Sequence, residues 1–108
     1  MERRQFERKK VYLKAQRISG DENSAVFIEN ISEHGIQIIT VPAESIIEFF
    51  PGTPIDLKFE LSSGETINLN CAVRWAYHNS PPDDITTTIG MEIIDPPMRY
   101  REFAKHLS

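Results

Sequence analysis

The segment IDLKFELSSGETINLNCAV, residues 55–73, decides the fold. Apolar and polar residues alternate without interruption over 55–61, which is the pattern of a β-strand with one buried and one solvated face. Residues 62–65 have the composition of a hairpin turn, and the alternation resumes at Ile67. The segment therefore predicts two antiparallel strands joined by a tight turn.

The same alternation recurs on both sides of this hairpin, in short stretches that turn residues separate. We predict strands over residues 11–16, 25–28, 36–41, 55–61, 67–77 and 86–94. Gly90, inside the last of them, predicts a bulge or a close approach to the backbone. The stretch 42–54 is either one helical turn or an irregular crossover, because Pro51 and Pro54 prevent regular structure at its end.

The last ten or so residues, after Pro96 and Pro97, predict a short helix over 98–107, with Phe103 and Leu107 on one face. Six strands spaced about ten residues apart and a terminal helix indicate a mainly all-β domain. The expected architecture is a small six-stranded antiparallel β-barrel or sandwich that carries a C-terminal α-helix.

The charge distribution is asymmetric, although the formal net charge of the 108 residues is only -4. Residues 1–17 carry a charge of +5, and the remainder carries -9. The basic side chains of this segment are Arg3, Arg4, Arg8, Lys9, Lys10, Lys14 and Arg17. A basic segment on an acidic body suits a small anion better than a long nucleic acid, so we expect no DNA or RNA partner.

The domain organisation follows from where the strand pattern starts. Residues 1–8 have no strand or helix pattern, so we predict a flexible basic arm over residues 1–10 and a barrel with its helix over 11–108. No apolar run is long enough to span a bilayer, and we expect no signal peptide, because the N-terminal residues are charged and no apolar stretch follows them. We therefore expect a cytoplasmic protein that does not insert into membranes.

Catalysis and metal binding have little support in the sequence. Cys71 is the only cysteine and lies in an apolar strand, where we expect it to be a core residue rather than a nucleophile. The three histidines lie in different predicted elements, and no motif of a hydrolase, metalloprotease or phosphate-binding loop occurs. We therefore expect that the protein is not an enzyme and that it binds neither a metal ion nor a cofactor.

Two short clusters have the chemistry of a ligand site. Arg4 and Arg8 form an RxxxR spacing, and guanidinium groups bind phosphate bidentately and stack on flat rings. Asn30, Ser32 and Gly35 form an NxSxxG spacing in a predicted turn, where short polar side chains hold a turn or contact a base edge. Taken alone, each cluster is also compatible with a basic tail or an ordinary turn.

Together, in this order, R4QFER8 and N30ISEHG35 resemble the two motifs of the PilZ domain family. The segment 72–77, AVRWAY, is similar to the long strand of that family with its V-x-W element. The segment 89–93, IGMEI, is similar to its last strand, with Ile93 where the family usually has Phe. The resemblance extends over nearly all of the chain, and it implies a stand-alone domain with a Greek-key, six-stranded barrel.

The resemblance also implies a function: PilZ domains bind the bacterial second messenger cyclic di-GMP. The ligand-binding residues that it implies are Arg3, Arg4, Arg8, Asn30, Ser32, Gly35 and Arg74. The arginines of the arm would bind phosphate and stack on guanine, Asn30 and Ser32 would contact a guanine edge, and Gly35 would keep the turn tight. Arg3 and Arg74 would be auxiliary contacts. Ordering of the arm around the ligand would then signal to an unidentified downstream protein.

Two alternatives stay open. The first is a PilZ-type adaptor that binds a protein and no nucleotide. The second is a small RNA-binding barrel, which presents aromatic residues on a basic sheet face. The acidic body argues against RNA, and so does the scatter of the aromatic residues, which do not share a basic stripe in the sequence: Tyr12, Phe27, Phe59, Trp75 and Tyr77.

Overall fold

A computed structural model of the chain describes residues 9–19, 22–40, 50–79 and 86–107. The predicted strands and helix are all present, in the predicted order. Their bounds are β1 Lys9–Ser19, β2 Glu22–Ile31, β3 Gly35–Thr40, β4 Pro54–Glu60, β5 Thr66–Asn79, β6 Thr86–Ile94 and α1 Met98–Lys105. The predicted arm residues Arg3, Arg4 and Arg8 lie outside the described residues, as does most of the crossover before β4. β1 begins two residues before the predicted start of the barrel.

The six strands form one closed antiparallel barrel in the order β1-β2-β3-β6-β5-β4. β4 returns beside β1 after a long connection, which is the Greek-key arrangement. The seam between β1 and β4 is short: only Gln16, Arg17 and Ile18 of β1 pair with β4. The prediction of a barrel is confirmed, and closure of the sheet excludes the sandwich.

The hairpin that decides the fold also shows how the core forms. On β4, the burial alternates without exception, and the inward residues Ile55, Leu57 and Phe59 pair with inward residues of β5. Each of the three β4 residues is at most 3% exposed. Removal of this apolar surface from water is the main force that holds the two strands in register, because a slip of one residue would turn every apolar side chain outward.

β2 is longer than the sequence predicts, and this changes the position of one motif residue. Asn30 lies inside β2, where it pairs with Lys10 of β1 and Gln37 of β3. The prediction that Asn30 belongs to the turn is therefore wrong, and the turn consists of residues 32–34. The physical reason is that pairing with both neighbouring strands continues the ladder up to Ile31.

Helix α1 packs on the core through residues that the sequence analysis did not single out. Tyr100 and Ala104 are buried, whereas the predicted contacts Phe103 and Leu107 are only partly buried. The Phe103 ring lies 5.9 Å from that of Phe59, at the end of β4. Among the described residues, no helix has the length and apolar character that crossing a bilayer requires.

Candidate functional site

A row of outward-facing residues crosses five strands of the barrel and contains Asn30. The register aligns Lys10, Asn30, Gln37, Gly90 and Trp75, from β1 through β2, β3 and β6 to β5. On β3, Gln37 faces outward because both of its neighbours along the strand are buried in the core, and on β1 Lys10 is exposed. At about 4.8 Å per strand, the row is about 19 Å long, which is enough for a dinucleotide.

The polar centre of this row lies beside a β-bulge. The register of β2 shifts between Ile28 and Asn30, so Glu29 is the extra residue. The side-chain amide of Gln37 donates a hydrogen bond of 2.9 Å to a carboxylate oxygen of Glu29. Bulges re-aim side chains next to binding sites, and this one brings the carboxylate of Glu29 beside the amide group of Gln37, in the residue directly before Asn30.

The turn between β2 and β3 contains the other two residues of the NxSxxG motif. The backbone N–H of Ser32 donates to the carbonyl of Gly35 at 2.9 Å, and the Ser32 hydroxyl lies 3.4 Å from the same oxygen. Gly35 does not adopt a positive φ. A Cβ at this position would lie 3.3 Å from the Ser32 hydroxyl oxygen, which is a tight contact, so a larger residue would require a small shift of the Ser32 side chain.

Two side chains of helix α1 bind this turn. The Tyr100 hydroxyl donates a hydrogen bond of 2.6 Å to the carbonyl of Ser32. Arg101 forms an ion pair of 3.5 Å with Glu33 in the same turn. Burial raises the pKa of Tyr100 far above its usual value, so the hydroxyl remains a donor at neutral pH. Sequence reasoning missed Tyr100, although its i, i+4 spacing with Ala104 indicated an apolar helix face.

Lys9 connects the start of β1 to the other end of α1. Its ammonium group donates hydrogen bonds of 2.9 Å to the carbonyl of Lys105 and 2.7 Å to that of Leu107. A cation suits these carbonyls because the last turn of a helix leaves them unpaired and carries a partial negative charge. Lys9 was grouped with the basic segment, but in the structure its charge is directed at the helix.

Arg74 lies on the outer face, as the extra residue where the register of β5 shifts between Val73 and Trp75. Its guanidinium is exposed and lies 3.3 Å from a carboxylate oxygen of Glu92. Glu92 pairs directly with Gly35 of β3. The structure therefore brings Arg74 within one strand of the NxSxxG turn, on the same surface.

Trp75 also lies on this face, although sequence reasoning did not assign it to the site. Its indole covers Gly90 so closely that a Cβ there would overlap the ring. The prediction of a close approach at Gly90 is confirmed, and the accompanying bulge lies on the partner strand β5. Tyr77 is next to it, with ring centroids 5.3 Å apart. The row thus ends in two neighbouring aromatic rings, which are inclined by 46° to each other.

Two kinds of reactive group can be assessed in the part of the chain that the structure describes: metal-ligating clusters and the cysteine thiol. Within that part of the chain, no three His, Cys, Asp or Glu side chains come close enough to hold a metal ion. Cys71 is buried in the core, as predicted, and burial raises its pKa to about 12. A protonated thiol with no access to solvent is not a nucleophile.

A comparison with protein-family models finds a match to the PilZ domain over residues 2–107. A comparison with curated proteins finds no match. The family match spans both motifs, including the arm residues that precede β1.

Among solved structures, the chain is similar to three proteins. The inhibitor of motility MotI/DgrA of Bacillus subtilis has a TM-score of 0.75 and 21% identity, over 96% of this chain and 48% of that one. The PilZ domain of YcgR from Escherichia coli, with c-di-GMP, has a TM-score of 0.74 and 9% identity, over 96% and 87%. The K. pneumonia MrkH–c-di-GMP complex has a TM-score of 0.72 and 13% identity, over 97% and 50%. The chain thus spans about half the length of MotI/DgrA and MrkH, and these likenesses show its fold.

Proposed function

The chain belongs to the PilZ domain family, and from this premise we propose that it is a cyclic di-GMP-binding module that acts as a sensor and not as an enzyme. Two of its structural relatives are described with c-di-GMP. The proposed ligand carries two phosphates and two guanines, and it lies between the N-terminal arm and the turn after β2. As the target of a bacterial second messenger, the module would work in the cytoplasm.

The start of β1 is the observation that carries this proposal. Lys9 pairs with Ile31, and Ile31 directly precedes Ser32 of the NxSxxG turn. The chain before Lys9 therefore starts beside the second motif. Arg4 is five residues before Lys9 and can extend at most about 17 Å from it, which is comparable to the length of the outward-facing row. Both arginines of RxxxR are thus within reach of Asn30.

We assign the roles by chemistry. Arg4 and Arg8 provide bidentate, charge-assisted hydrogen bonds to phosphate and planar surfaces for guanine, with Arg3 as an auxiliary contact. Asn30 and Ser32 provide hydrogen bonds at the edge of a base, and Gly35 leaves the turn compact beneath it. Arg74 is a second auxiliary cation, and it would exchange its exposed partner Glu92 for the ligand.

The energetics favour a sensor over a permanent complex. Ordering an eight-residue arm costs on the order of 10 kcal/mol when the arm is disordered without ligand. Two charge-assisted contacts return about 1.5–3 kcal/mol each, so stacking and burial of the bases have to supply the rest. The cost of ordering the arm lowers the net affinity for the ligand, so that occupancy follows the ligand concentration. The ordered arm presents a new surface to a downstream protein.

Titration calorimetry with cyclic di-GMP tests the proposal on the parent, Arg4→Ala and Arg8→Ala. We expect each substitution to weaken binding by about 10- to 100-fold or more, because it removes charge-assisted bonds to phosphate together with a stacking surface for guanine. Lys58→Ala is the matched control, since Lys58 is an exposed cation on the outer face of β4, and it should change affinity less than about 2-fold. Circular dichroism confirms that each barrel is folded. Binding of parental strength by both arginine variants would show that the assignment is wrong.

A second candidate is a protein adaptor without nucleotide binding. The observation that favours it is the exposure of aromatic rings on the outer face: Tyr12 is 76% exposed and Tyr77 65%. Aromatic residues of this kind are typical of protein interfaces. Calorimetry of the parent separates the two functions, because an adaptor gives no binding heat at micromolar cyclic di-GMP.

A further inference from the structure

We propose that Glu29 reads guanine: its carboxylate accepts hydrogen bonds from the Watson–Crick edge of one base of the bound cyclic dinucleotide. This inference rests on the function proposed above and adds a residue that neither sequence motif contains. It extends the contacts with the base edge, which the proposed function gives to Asn30 and Ser32, to the bulge of β2.

The geometry makes the carboxylate available on the outer face. Glu29 is the extra residue of the β2 bulge, directly before Asn30, and it is half-buried. Gln37 donates to its Oε1 at 2.9 Å, which holds the carboxylate beside Gln37 on the outer face. A carboxylate has about four acceptor positions, so this bond leaves Oε2 and part of Oε1 for a ligand.

The chemistry of the patch matches guanine. The Watson–Crick edge of guanine presents two adjacent donors, N1–H and the exocyclic N2–H, followed by the O6 acceptor. A carboxylate takes both donors at once, whereas the single side-chain oxygen of Asn30 cannot. The amide NH2 of Asn30 or Gln37 is suited to O6. Adenine has no such donor pair, and a site built for these donors rejects a base that lacks them.

Because the ligand is negatively charged, the direction in which its affinity changes when the charge of Glu29 is removed tests the inference. A carboxylate beside a dianionic ligand is repulsive unless it accepts hydrogen bonds from the base. If Glu29 is only a surface residue, removal of its charge should leave binding unchanged or strengthen it. If Glu29 reads guanine, removal of its charge should weaken binding, because an amide cannot accept both donors.

The experiment measures the affinity of the parent and of Glu29→Gln for cyclic di-GMP and for cyclic di-AMP, by titration calorimetry. We expect Glu29→Gln to lose about 10- to 100-fold in affinity for cyclic di-GMP, the effect of losing charge-assisted hydrogen bonds. Its preference for cyclic di-GMP over cyclic di-AMP should fall by a similar factor. Glu60→Gln is the control, because it removes the same charge from an exposed outward position of β4 and should leave both values unchanged.

The outcomes separate this inference from the proposed function. If the parent binds no cyclic di-GMP, the proposed function fails and Glu29 has no base to read. If the parent binds and Glu29→Gln binds equally well or more tightly, the function stands and the reading role of Glu29 is overturned. An equal loss for both dinucleotides overturns it too, since that result shows a general effect on the surface and none on base choice.

Discussion

Gly90 is the residue whose identity has the most direct structural cause. The Trp75 indole lies against its backbone on the outer face, and any Cβ at this position would overlap the ring. The sequence predicted a bulge or a close approach, because a glycine interrupts an otherwise β-favouring stretch. It did not indicate which group approaches, since Trp75 reaches Gly90 only through the pairing of β5 with β6.

Gly90→Ala should lower the free energy of unfolding by about 1–3 kcal/mol, because the added methyl forces the indole out of its position. Urea denaturation measures this change. In a Trp75→Ala background, the same substitution should cost much less, since the clash is then absent. An equal cost in both backgrounds would contradict the contact that the structure shows.

Asn30 and Lys9 show what the local sequence did not indicate about single residues. The composition of residues 30–35 is that of a turn, but Asn30 continues β2 because strands on both sides pair with it. Lys9 was counted with the basic segment, but it donates to the last carbonyls of α1. Both findings have one origin: the structural partner of each residue is distant in sequence, and a local pattern has no information about it.

Among the elements, α1 contacts both the start of β1 and the turn of the NxSxxG motif. Lys9, the first residue of β1, donates a hydrogen bond to a carbonyl just after the helix. Tyr100 and Arg101 of the helix bind Ser32 and Glu33 in the turn. The helix thus fixes the start of β1 and the turn after β2 relative to each other. A ligand that contacts both the start of β1 and the turn after β2 would therefore bind two segments that the same helix supports.

Tyr100→Phe tests the strongest of these links. We expect the free energy of unfolding to fall by about 1–2 kcal/mol, because the carbonyl of Ser32 loses its donor inside the protein. Amide hydrogen exchange in the turn should become faster by a corresponding factor. Tyr12→Phe is the matched control, since the Tyr12 side chain is exposed, and it should change stability by less than about 0.5 kcal/mol. Equal effects of the two substitutions would contradict a supporting role for the Tyr100 hydroxyl.

At the scale of the whole molecule, barrel closure creates one interior that contains two protonated acids. Cys71 and Tyr100 are 3% and 0% exposed. Burial raises the pKa of Cys71 from 9.0 to about 12, and it raises that of Tyr100 as well. Both groups are neutral in the folded barrel at pH values where the unfolded chain ionises them. Their burial therefore couples stability to alkaline pH.

We predict that the free energy of unfolding falls as the pH rises from about 9 towards 12. The thiol is protonated in both states below pH 9, so its full contribution is present there, and it is lost as the pH approaches the folded pKa. The loss is at most about 1.4 kcal/mol per pH unit for each group. Urea denaturation of the parent and of Cys71→Ala measures it. The gap between their stabilities should narrow with rising pH, and parallel curves would refute the assignment to Cys71.

The sequence by itself determined the elements: six strands, their order, the terminal helix and the residue types of the two motifs. These follow from local pattern, because a period of two and turn residues act within a few positions of the chain. Only the tertiary structure decided the row that joins Asn30 to Trp75, the partner of Lys9 and the support of the turn by Tyr100. Each depends on strand register or helix docking between residues far apart in the chain, and burial of the whole core, rather than any local preference, fixes both.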